Sequence, residues 1–116
     1  MGKLTTHVLD IANGCPGRGI AVTLFRLGAQ RELLITTTTN ADGRVDRPLL
    51  DGAEMVAGQY ELVFGAGDYF RAQGAALPQP PFVDEVVLRF GIADPQAHYH
   101  VPLLVSPWSY STYRGS

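Results

Sequence analysis

Three imidazoles carry most of the chemistry this chain can offer: His7, His98 and His100. An unperturbed imidazole titrates at about 6.5, so each can take or give a proton around neutrality. His98 and His100 alternate in His98-Tyr-His-Val-Pro, and on an extended strand such residues share one face. With His7 as a third ligand they could hold a metal. Alternatively, one of them can act as general acid or base. The plain alternative is a pair of half-buried strand histidines bonded to backbone. Arg44 follows the Asp42-Gly43 turn, so its guanidinium fork is presented from a loop tip to any anionic or amide-rich ligand. The closing Tyr113-Arg114-Gly115-Ser116 adds further groups that bind or titrate. Such a density is unusual where chains commonly fray, and it implies a tail held in a site.

Other chemistries lack their residues. Cys15 is the one cysteine, so neither an intrachain disulfide nor a cysteine-based zinc site can form. Its setting, Gly14-Cys15-Pro16-Gly17, reads as a loop, with Cys15 as a small loop residue. The glycines from Gly14 to Gly19 do not form a phosphate-binding loop, and no G-x-S-x-G nucleophile elbow is present. A net charge of −2 offers no basic face for nucleic acid. No apolar run approaches the roughly 18 residues that cross a bilayer, and the first residues lack the apolar stretch of a signal peptide. The expectation is a cytoplasmic protein with no nucleic-acid or membrane partner. At 116 residues and 46% hydrophobic, the chain suits one domain, 1–116, around one core.

The apolar period is near two almost throughout, which predicts strands. They are expected at Leu4–Leu9, Ile20–Leu27, Glu32–Thr39, Gln59–Phe64, Asp84–Phe90, Tyr99–Val105 and Ser109–Tyr113. Arg44–Leu50 reads as a weak strand that Pro48 confines to an edge. Asn40-Ala-Asp-Gly43 has turn chemistry. The one expected helix is Asp68–Gln73, capped by Asp68 and ended by Gly74, with Pro78–Pro81 as a rigid connector. Short strands at regular intervals imply an all-β sandwich.

Five segments together resemble one family. Leu4-Thr-Thr-His-Val-Leu-Asp10, Asn40-Ala-Asp-Gly-Arg44, Gly67-Asp-Tyr-Phe70, His98-Tyr-His-Val-Pro-Leu-Leu-Val-Ser-Pro107 and Tyr113-Arg-Gly-Ser116 are similar to motifs of the transthyretin-related proteins. The last tetrapeptide is the mark of that family's 5-hydroxyisourate hydrolase branch. The resemblance implies a prealbumin-like sandwich of two four-stranded antiparallel sheets with one short helix. It also implies a homotetramer, a dimer of dimers with sites in the inter-dimer channel. The implied activity is metal- and cofactor-free hydrolysis of 5-hydroxyisourate. The rival is a small-molecule carrier using the same channel, but carriers lack the histidines, the arginine and the terminal tetrapeptide. By resemblance the catalytic residues are His7, Arg44 and His100, with Tyr113 and Ser116 binding substrate and His98 and Arg114 in minor roles. Cys15-Pro-Gly-Arg18 departs from the commonest family pattern, in a loop outside the reactive set.

Overall fold

Leu4, Thr6, Val8 and Asp10 are buried, and the residues between them are less so. This is the period of a strand with one covered face, and the strand, β1, spans Lys3–Asp10. The computed structural model describes residues 1–115, in which eight further strands and one α-helix follow. They are β2 (Cys15–Pro16), β3 (Ala21–Leu27), β4 (Arg31–Thr38), β5 (Leu50–Asp51), β6 (Gly58–Gly65), α1 (Ala66–Ala72), β7 (Glu85–Ile92), β8 (His98–Val105) and β9 (Tyr110–Thr112). One sheet runs β4-β3-β6-β7, and its neighbours are antiparallel throughout. The other runs β2-β1-β8-β9, with β5 also on β1. The core between them is filled by fully buried Leu4, Val8, Leu24, Tyr60, Leu62, Phe64 and Leu103. Burying each such aliphatic or phenyl side chain contributes about 1.5–3 kcal/mol.

The sandwich and its short helix agree with expectation, but one sheet has five strands where four were expected, because β5 also pairs with β1, and its strands do not all run antiparallel. β1 and β8 are parallel, with Thr5 opposite His100 and His7 opposite Pro102. A period of two states which face a residue takes and is silent on the direction of the neighbouring strand. With β8 on one side, the other edge of β1 is shared by three short partners. β5 meets Lys3 and Leu4, Arg44 bridges to His7, and β2 meets Leu9 and Asp10. The expected Arg44–Leu50 strand is therefore reduced to its two ends, because Pro48 cannot donate to a ladder.

The helix begins earlier than expected. Ala66 and Gly67 are buried within it, and the amide of Gly67 donates to the Asp84 carbonyl at 2.9 Å. That tertiary bond satisfies a helix-start amide without the side-chain cap assigned to Asp68. Asp68 instead lies in the first turn and pairs with Arg71 at 2.8 Å. Gly74, at φ +86°, ends the helix as expected.

Candidate active site

The outward residues of β1 and β8 form one surface. Thr5 and His7 from β1 lie beside His98 and His100 from β8, on the face turned away from the core. The rings of His7 and His100 are 6.5 Å apart, centroid to centroid, and inclined by 40°. Nε2 of His7 lies 3.0 Å from the backbone oxygen of Asp42. A carbonyl can only accept, so neutral His7 carries its hydrogen on Nε2 and keeps the Nδ1 lone pair for use as a base.

Arg44 owes its place to the turn before it. The Asn40 side-chain oxygen accepts from the amides of Asp42 at 2.9 Å and Arg44 at 3.1 Å. Gly43 donates to the Asn40 carbonyl at 3.0 Å, and its carbonyl accepts from Val8 at 2.8 Å. Gly43 sits at φ +76°, and a Cβ there would overlap the Val8 carbonyl. Only glycine meets both conditions. The turn is thus stapled to β1, and the next residue, Arg44, pairs with His7. A shallow cavity of about 340 Å³ is lined by Arg44, Val45, Thr5, Thr6, His98 and His100.

Both facing imidazoles are biased toward the neutral form. Partial burial lowers the pKa of His7, and the Arg44 charge lowers it further. For His100 the causes run in the same order, burial then Arg44, with His7 and His98 adding to them. Desolvation and like charge both disfavour imidazolium. The pair therefore offers unprotonated nitrogens below the pH at which a free histidine would.

His100 is held from two sides. Its Nδ1 lies 2.7 Å from the hydroxyl of Thr5, a residue the sequence reading missed. The available signal was its position two before His7, which puts both on one strand face. On the other side, Gly115 donates to the His100 carbonyl at 2.7 Å. A Cβ at Gly115 would stand 2.8 Å from His100 Cδ2, so the backbone of the terminal motif lies flat against the imidazole.

The expected residues thus divide. His7, Arg44, His98 and His100 come together on one face. Tyr113 and Arg114 instead line a separate cavity with Val87 and Phe90 at the open edge between β7 and β9. Arg114 packs over the Tyr99 ring at 4.1 Å and donates to the His98 carbonyl at 3.2 Å. That makes it a fastener of the tail. Ser116 lies outside the described residues. Cys15 is exposed, with its sulfur 3.9 Å from the Asp10 carboxylate. The three histidines do not converge as ligands, and no group of three or more histidine, cysteine or acidic residues that could hold a metal exists among the described residues. No helix among them is long and apolar enough to cross a membrane.

The profile of the HIUase/Transthyretin family matches residues 4–115. The chain belongs to that family. It is 64% identical to the 5-hydroxyisourate hydrolase of Pseudomonas aeruginosa, over 100% of this chain and 93% of that one. Among solved structures, one described as (S)-allantoin synthase superposes with a TM-score of 0.95 at 50% identity, over 99% of this chain and 44% of that one. Sea bream transthyretin, solved in complex with thyroxine, superposes with a TM-score of 0.86 at 28% identity, over 97% of this chain and 94% of that one. The fold is common to both solved structures, and the identities set this member of the HIUase/Transthyretin family with its enzymes.

Proposed function

We propose that the chain hydrolyses 5-hydroxyisourate to 2-oxo-4-hydroxy-4-carboxy-5-ureidoimidazoline, with His7, Arg44 and His100 as its catalytic residues. One observation carries the reading: two imidazoles biased to neutrality face each other across a gap, with a guanidinium beside them. Opening a cyclic amide requires a water activated against the carbonyl and a proton delivered to the departing nitrogen. His7, whose Nδ1 has no hydrogen-bond partner among the described residues, takes the water's proton. His100 stands across the gap as the proton donor, so that the two rings divide the work of base and acid. Arg44 grips the substrate oxygens and offsets the charge that grows as the carbonyl becomes tetrahedral. No metal or organic cofactor enters the scheme.

The active form is a homotetramer, a dimer of dimers. The face bearing the imidazoles is open on one protomer, and a facing copy would exclude water from it and strengthen each electrostatic contact. Tyr113, 62% exposed, and Ser116 then complete substrate binding at the shared channel. The test is to generate 5-hydroxyisourate in situ with urate oxidase and follow its ultraviolet decay, with NMR of the product. Acceleration in proportion to protein is the expected result. Decay at the spontaneous rate would overturn the proposal.

A further inference from the structure

The hydroxyl of Thr5 lies between two imidazoles. Its Oγ1 is 2.7 Å from Nδ1 of His100 and 3.2 Å from Nε2 of His98. A threonine hydroxyl has one hydrogen to donate and lone pairs to accept with. If it serves both rings, it donates to one and accepts from the other. Two arrangements satisfy this, and they differ only by moving one proton along each bond. His98 is exposed, whereas His100 is half-buried and faces His7 and Arg44. The three groups therefore connect solvent to the candidate active site.

We propose that Thr5 is a positioning residue that relays protons between His98 and His100 during the hydrolytic step; this rests on the hydrolase reading above. A neutral imidazole is a poor acid on its own. It gives up the Nε2 hydrogen readily only if Nδ1 gains one at the same time, and partial burial beside Arg44 biases His100 toward the neutral form. The relay supplies that proton. His98 takes a proton from solvent at Nδ1 and passes its Nε2 hydrogen to Thr5 Oγ1. Thr5 passes its own hydrogen to His100 Nδ1, and His100 passes its Nε2 hydrogen to the departing nitrogen as the C–N bond breaks. The water's hydroxide stays on the carbonyl carbon, and His7 returns the water's proton to solvent. Each ring ends neutral in its other tautomer, the hydroxyl is intact, and the reverse sequence resets the chain once water refills the cavity. Nowhere does a buried imidazolium have to form at His100.

Thr5→Val keeps the shape and removes the hydroxyl, whereas Thr5→Ser keeps the hydroxyl. Thr5→Val is expected to lower kcat by roughly 100-fold, the lower end of what general acid catalysis contributes, with KM unchanged. Thr5→Ser is expected to recover most of that loss. His98→Gln, an exposed change that interrupts the relay at its outer end, should reproduce the Thr5→Val loss without adding to it in the double variant. Wild-type kcat in Thr5→Val or in His98→Gln overturns the relay, as does a Thr5→Ser enzyme no better than Thr5→Val. The link is also read without turnover, from ¹⁵N shifts of the His98 ring. His100→Asn should change the His98 tautomer population when Thr5 is present and leave it unchanged in Thr5→Val. An unresponsive His98 in the threonine protein overturns the relay. Failure of wild-type protein to accelerate 5-hydroxyisourate decay overturns the hydrolase reading instead, and leaves the NMR result to decide the link.

Discussion

Arg44 acts on both imidazoles, and in the proposed reaction on substrate as well, and the two effects separate experimentally. Its charge lowers the pKa of His7 and His100, so Arg44→Ala should raise both ring titrations, as followed by NMR. The same change removes the donor proposed to stabilise the tetrahedral oxygen. A loss of about 2.7–4 kcal/mol of barrier stabilisation is expected, at least two orders of magnitude in turnover. In the proposed mechanism the neutral rings are the competent forms. Activity should therefore rise with pH, with its acid limb below about 6.5, the ordinary histidine value. Stability follows the same sign. The unfolded chain binds more protons than the folded one as pH falls through that value, so stability is full above it and declines below. A pH–rate profile whose acid limb lies above the ordinary value would contradict this. At Gly115 the expectation is steric. Gly115→Ala drives a methyl into the His100 ring, and should cut activity while leaving the thermal midpoint close to that of the parent. The alternation of His98 and His100 was enough to put both on one face from sequence. The tightness of Gly115 against the ring was not legible, because it arises between segments paired only after folding.

At the scale of elements, the site depends on how the second edge of β1 is completed. Three short pieces share it, and Arg44 is the middle one. The turn chemistry of Asn40-Ala-Asp-Gly43 was visible in the sequence. Its docking on Val8 was not, since nothing local announces which strand a turn will staple. Gly43→Ala tests that docking. A side chain there meets both a positive φ and the Val8 carbonyl, so the turn must move. An L residue in the left-handed region costs about 1–2 kcal/mol before the overlap is counted. Both a lower thermal midpoint and reduced turnover are expected, whereas Ala41→Gly, at an exposed position of the same turn, should change neither. The strands themselves were legible because alternation is a local property. The parallel pairing of β1 with β8 was not, and neither was the helix start. There, packing of Ala66 and Gly67 against the segment before β7 outweighed the capping preference of Asp68.

For the whole molecule, the open sheet face and the exposed edge argue for assembly. Val87, Trp108, Tyr110 and Tyr113 are large apolar or aromatic side chains left exposed near β7 and β9, and exposed apolar patches of this kind mark contact surfaces. Analytical ultracentrifugation should show a tetramer. Specific activity should fall on dilution into the range where the proposed tetramer dissociates, since the proposed shared channel would then open to water. A fully active monomer would confine the site to one protomer and remove any need for a shared channel.

The central claim is that His7 and His100 act as one unit beside Arg44, and the most direct test is the decay of 5-hydroxyisourate with histidine variants. Folded His7→Asn and His100→Asn proteins should each lose nearly all acceleration, and the double variant should be scarcely worse than either, as groups acting together behave. Wild-type acceleration by His100→Asn, or losses that simply multiply in the double variant, would contradict the account.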